Sequence, residues 1–287
     1  MVEALRDLVE TELSEPVDPR VTAMAEAIAA RHGPASRAVL FYGSCLREKQ
    51  LDGLMLDFYL IVSDYRSAYD KPWQAKANAL IPPNVFPFQH EGLAAKYAVL
   101  SDRDFYRLNG PETRNVSVWA RFAQPSRLVW SSDEAARTAA IMAVSRAAPT
   151  LLAAAGRIEG EPVLDWWRRA FSLTYSAELR AERKGRAGSV IDADLERYER
   201  FSPAVVAAID PAIPGGGWLR RQIEGKALSV LRLAKASATY AGGAEYIAWK
   251  INRHAGTKIE LKPWQKRHPL LAAISLLPRL LRSGAIR

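Results

Sequence analysis

Cysteine is nearly missing from this chain: Cys45 stands alone in 287 residues. That excludes an intrachain disulfide framework and a cysteine-rich zinc site, and it fits a reducing compartment. Histidine is also scarce. His32, His90, His254 and His268 show no metal-ligand spacing, and His90 beside Glu91 reads as a surface loop pair. No apolar run reaches the roughly 18 residues of a spanning helix, so membrane contact is expected to be peripheral. The opening stretch, MVEALRDLVETELSEPVDPR, is acidic and amphipathic. It lacks the basic start and apolar centre of a secretory signal and the Arg-rich character of a presequence, which leaves a cytoplasmic protein as the expectation. Acid is the scarcer charge, with 31 Asp and Glu against 40 Lys and Arg, a net charge of +9 and a pI near 9.7. Such a balance implies an anionic partner: nucleic acid, nucleotide or acidic lipid.

What is present suffices for a folded core, at 49% hydrophobic residues. Residues 1–33 have helical spacing and stop at Gly33-Pro34. A strand is expected over 37–42, followed by Gly43-Ser44, the polar stretch CLREKQLDG and a second strand through Val62. A helix over 70–80, the loop NVFPFQHEG, a third strand over 93–100 and an apolar piece over 127–130 complete an α/β half. Helical periods then dominate over 133–155, 162–182, 192–201 and 218–240, with PAIPGGG as a break. The expected fold class is α/β: a mixed-sheet domain with helices over 1–131, a mainly helical domain over 132–262 and a basic amphipathic segment over 263–287.

The second strand, MLDFYLIV, holds one carboxylate, Asp57, in an otherwise apolar run. A charge there needs a cationic partner or a metal. A strand, a Gly-Ser turn, a connection and a strand bearing a carboxylate suit phosphate chemistry. Backbone amides and a hydroxyl hold phosphate oxygens, and the carboxylate holds the magnesium that neutralises them. The bland alternative pairs Asp57 with a buried arginine and makes Gly43-Ser44 an ordinary turn.

This arrangement resembles the entry to polymerase-beta-like nucleotidyltransferases. A departure is that the common second carboxylate, two residues on and on the same side of the strand, is replaced by Tyr59. A branch with one acid, the mitochondrial-type phosphatidate cytidylyltransferases, is similar in several ordered stretches: YGSCL (42–46), MLDFYLIV (55–62), AKYAVLSDRDF (95–105), SVWARFAQP (117–125) and LTYSAELRAERK (173–184). The resemblance implies a nucleotidyltransferase-like fold and Mg²⁺-dependent transfer of CMP from CTP to phosphatidic acid, a step of phospholipid biosynthesis giving CDP-diacylglycerol. It implies catalytic roles for Asp57, Lys96 and Arg180, nucleotide or headgroup contacts from Tyr42, Gly43, Ser44, Tyr175, Glu178, Glu182 and Lys184, and metal ligation by Asp57. Asp104 is a candidate second ligand with Glu178 as its rival, while Asp102 is expected to cap a helix.

The last stretch, WQKRHPLLAAISLLPRLLRSGAIR, mixes leucine and arginine with almost no acid. It suits an interfacial helix on an anionic membrane and equally a terminal helix packed on the core. With a lipid substrate, the protein is expected at the inner face of the cytoplasmic membrane. No nucleic-acid module pattern appears, so nucleic acid is not an expected partner. Transfer to a soluble acceptor and a non-catalytic nucleotide-binding module remain as alternatives.

Overall fold

The computed structural model describes residues 2–48, 51–178, 190–213 and 215–239. Its centre is a five-stranded mixed sheet in the order β3-β4-β2-β1-β5, from β1 (Ser36–Tyr42), β2 (Met55–Val62), β3 (Asn84–His90), β4 (Leu93–Ser101) and β5 (Ser126–Ser131). β2 and β4 run parallel, and the other neighbours are antiparallel. The fold is therefore α/β, as the strand and helix pattern leads us to expect, and its sheet is mixed.

Two helices precede the sheet, α1 (Val2–Leu13) and α2 (Pro19–His32). Asp18 starts α2 by accepting from the Arg20 amide at 2.9 Å, Pro19 occupies the first turn, and Gly33 ends it at φ 52°. Short helices α3 (Ser44–Glu48), α4 (Tyr65–Ala68) and α5 (Pro72–Leu80) fill the first two connections. Then follow α6 (Asp102–Leu108), α7 (Trp119–Phe122), α8 (Glu134–Ser145), α9 (Ala147–Ala155), α10 (Val163–Ala177), α11 (Leu195–Ala207) and α12 (Trp218–Thr239).

Three expectations change. NVFPFQHEG is a strand and a turn: Glu91 and Gly92 have φ of 47° and 78°, and His90 pairs with Leu93 across them. Two such residues make a tight antiparallel hairpin, and Pro87 is tolerated because β3 is an edge strand. The cap of α6 is Ser101, whose Oγ accepts from the Asp104 amide at 3.2 Å, while Asp102 lies 3.4 Å from Arg37. Finally, Glu134–Ala155 is long and apolar enough to cross a membrane, but 67% of its most apolar 18-residue window is buried inside the protein. It forms α8 and α9 in the core.

The sheet carries a different core on each face. α2 packs Val21, Met24 and Ile28 against Val39, Phe41, Phe58, Leu60 and Val99. The opposite face, with Leu40, Tyr59, Ile61 and Leu100, shares one continuous core with Leu5 and Leu13 of α1 and with Trp167, Phe171, Tyr198 and Phe201 of the helical half. Packing thus runs unbroken past residue 131. Arg197 reinforces it, with Nη2 2.9 Å from Glu12 and Nη1 donating to the Ala123 carbonyl at 3.2 Å.

Candidate functional site

Sheet register gathers the first group of residues. Tyr42 stands opposite Asp57 across β1 and β2, and Asp57 stands opposite Lys96 across β2 and β4. Directly opposed residues project to the same side, so the three form a row on the face shared with the helical half. Lys96 Nζ lies 2.9 Å from Asp57 Oδ1, with the two side chains 29% and 19% exposed. The approach gives an ion pair without hydrogen-bond geometry, leaving Oδ1, among the described residues, as a buried acceptor with no hydrogen bond. Asp57 therefore has its cationic partner, but a lysine and not an arginine.

Gly43 is more than an ordinary turn residue. Its φ is 99°, a conformation that favours glycine, and a Cβ built there would lie 3.0 Å from Asp57 Oδ2. The chain passes directly beside the carboxylate and then enters α3 at Ser44.

A second group rises from the helices over Tyr59. Glu178 ends α10 in an extended conformation, is buried, and lies 3.5 Å from Arg121 Nη1. A carboxylate at a helix C-terminus opposes the helix dipole, so the arginine compensates it. Arg121 on α7 also donates to Ser117 Oγ at 2.9 Å and to the Ser117 carbonyl. Arg232 on α12 donates to the same Oγ at 3.0 Å and to the Pro82 carbonyl at 2.8 Å. Lys235, one turn on, donates to the carbonyls of Pro83, at 2.8 Å, and Ile81. Gly225 lets α12 come this close, because a Cβ there would strike the Ala177 carbonyl at 2.2 Å.

These charges interact. Burial raises Tyr42 well above the ordinary phenol range, and the Asp57 charge adds to it. Tyr59 is likewise raised by burial. Burial works against the charge of Arg121, but the Glu178 and Asp57 carboxylates outweigh it and hold the guanidinium protonated. Arg232 is lowered by burial, and Lys235 is pushed down to about 7 by burial and by Arg232.

Asp57, Lys96, Tyr42 and Gly43 thus come together, with Ser44 beside them, and Glu178 reaches them through Arg121. Tyr175 lies one turn before Glu178 on α10, partly buried against the core. Asp104 does not join. Its Oδ2 accepts from Tyr65 Oη at 2.7 Å and its Oδ1 from Arg107 Nη2 at 2.9 Å, just beyond the far end of β4. Ser101 lies five positions beyond Lys96 on the strand, a rise of about 16 Å. Arg180, Glu182, Lys184 and the segment 263–287 lie outside the described residues.

Sequence reasoning assigned no role to Arg121, Ser117, Arg232 or Lys235. Arg121 carried a signal, as a lone arginine in the apolar stretch VWARFA. Arg232 and Lys235 looked like ordinary polar positions of an amphipathic helix.

Among the described residues no three of His, Cys, Asp and Glu gather as metal ligands. Asp57 alone fits magnesium, because that ion commonly takes one or two carboxylates and completes its shell with phosphate oxygens and water. Oδ1 is buried without a hydrogen bond and faces the Lys96 ammonium, so magnesium would share the Asp57 carboxylate with Lys96.

No protein-family model matches the chain, and no curated protein matches it. A solved structure, described as a nucleotidyltransferase-like protein from Exiguobacterium sibiricum, is similar at 10% identity and a TM-score of 0.30, over 92% of this chain and 77% of that one. A likeness at that score carries no weight for activity.

Proposed function

We propose that this protein is a nucleotidyltransferase that moves CMP from CTP to the phosphate of phosphatidic acid. One observation carries the reading: the row Tyr42, Asp57 and Lys96, with Gly43 pressed against the Asp57 carboxylate. It puts one carboxylate, one lysine and a glycine turn at a single edge of the site, the equipment for holding a triphosphate.

A phosphate oxygen of the acceptor attacks the α-phosphorus of CTP. The new P–O bond joins the two phosphates, the bond between the α- and β-phosphates breaks, and pyrophosphate leaves with the electron pair. Asp57 would hold magnesium, which when bound neutralises phosphate oxygens. Gly43 and Ser44 seat the triphosphate, and Lys96 offsets its charge. Arg121, kept protonated by Glu178, is a further cation of the site. The acceptor phosphate is already ionised near pH 7, so no residue need serve as general base.

The test is purified full-length protein with CTP, Mg²⁺ and phosphatidic acid in detergent. Pyrophosphate and CDP-diacylglycerol are expected, and Asp57→Asn should lower turnover at least about a hundredfold with the fold intact. Absence of both products with every anionic lipid tried would refute the assignment. A non-catalytic nucleotide-binding role draws on Asp57 already being paired with Lys96 and on Tyr59 in place of a second acid. In that case calorimetry would register CTP binding without turnover.

A further inference from the structure

Arg121 and Arg232 belong to different helices and donate to one oxygen. Ser117 Oγ receives Arg121 Nη1 at 2.9 Å and Arg232 Nη1 at 3.0 Å, although Arg232 lies 115 positions along the chain from Ser117. A hydroxyl oxygen has two lone pairs, so these bonds fill it and hold two like charges side by side. Arg121 has Glu178 as a counter-ion at 3.5 Å. Among the described residues Arg232 has only carbonyl and hydroxyl acceptors for its hydrogen bonds, its Nη2 is buried with none, and it shares the Glu178 charge with Arg121, so two guanidiniums depend on one carboxylate. A buried, unsatisfied guanidinium nitrogen beside a second arginine is costly unless an acceptor of opposite charge completes it.

Planar arginine forks suit ligands with several anionic oxygens, above all phosphate. The pair stands over Tyr59, which follows Asp57 by two residues on β2 and lies on the same side of the sheet. It is therefore one step deeper than the Asp57–Lys96 pair.

We infer that Arg121 and Arg232, yoked by Ser117, form a second anion subsite that takes the phosphomonoester group of the acceptor. This rests on the nucleotidyl-transfer reading for its division of labour: the glycine turn and Lys96 face the triphosphate, and the arginine pair faces the group that attacks it. The shared chemistry is a phosphomonoester dianion, whether on a lipid or on a small soluble molecule.

Calorimetry on the full chain tests this with three probes: glycerol 3-phosphate, phosphatidic acid in mixed detergent micelles, and CTP. Arg232→Gln is expected to weaken binding of the phosphomonoester at least about tenfold, the loss of one charge-assisted hydrogen bond, while CTP stays within about twofold. Ser117→Ala keeps both cations and removes the yoke. It should cost about three- to fivefold and covers the case in which Arg232→Gln does not fold. Saturable binding of glycerol 3-phosphate with this dependence supports a soluble acceptor, and binding of phosphatidic acid alone supports a lipid. The inference is overturned if wild type binds neither phosphomonoester, if both variants bind as wild type does, or if CTP weakens in parallel. Should wild type bind a phosphomonoester through Arg232 but never CTP, the nucleotidyl-transfer reading fails and the anion subsite stands.

Discussion

Removing Lys96 is the sharpest perturbation of the Asp57 site. At 2.9 Å, and with an effective dielectric near 20, the pair attracts by about 6 kcal/mol before desolvation. Both side chains keep some exposure, which screens part of this and lets each ion rehydrate when the other is lost. Breaking a fully buried pair costs about 3–5 kcal/mol, so Lys96→Met should cost about 2–3 kcal/mol. For a chain of this size that lowers the melting temperature by about 3–5 °C. Asp57→Asn should cost less, about 1 kcal/mol, because a lysine stem can carry its ammonium out to water and a short aspartate cannot. The double variant should recover most of the loss, giving a coupling of about 2 kcal/mol in a thermodynamic cycle from urea unfolding. If Lys96→Met is as stable as wild type, or the double variant no more stable than Lys96→Met, the pair does not neutralise the carboxylate as argued.

Gly43→Ala places a methyl 3.0 Å from Asp57 Oδ2 on a backbone at φ 99° and should destabilise by about 1–3 kcal/mol. Nucleotide binding should weaken beyond that, as read by calorimetry at a temperature where the variant stays folded. Lys235 gives a pH signature. Its folded value of about 7 is below that of the unfolded chain, so the unfolded state binds more protons between about pH 7 and 10 and stability rises with pH across that window. Lys235→Met should flatten this limb of the stability profile measured by urea unfolding, and an unchanged slope would show that another group produces it.

Much of the sheet could be read directly from the chain. Val39 to Phe41, Leu56 to Val62 and Val99 with Leu100 are apolar enough to demand burial on both faces, and β1, β2 and β4 follow. β3 was hidden because Pro87 and the turn residues around it look like loop chemistry, and only its place at the sheet edge makes a proline acceptable. Asp57 stood out for the same reason that β2 did, as one charge in an apolar run. Lys96 stood out only through resemblance, as a catalytic residue and not as the partner of Asp57, since no local pattern joins it to a residue on another strand. Asp104 shows the limit of linear reasoning: it is close to Lys96 along the chain but lies beyond the other end of the strand. Arg232 was illegible, because its meaning depends on α12 crossing to Ser117, and that crossing depends on the absent side chain at Gly225.

The parallel seam between β2 and β4 has a kinetic meaning. β1 with β2, and β3 with β4, are antiparallel pairs of neighbours along the chain, whereas the seam joins the two pairs only after the intervening α4 and α5 are placed. Asp57 belongs to one pair and Lys96 to the other. Until the seam closes, both ions are hydrated and the site does not exist. Non-local parallel pairing is an inherently slow event. The ion pair is thus a reporter of the joining of the two strand pairs, and an Asp57 or Lys96 variant should speed unfolding or slow folding according to whether the seam is open or closed at the barrier.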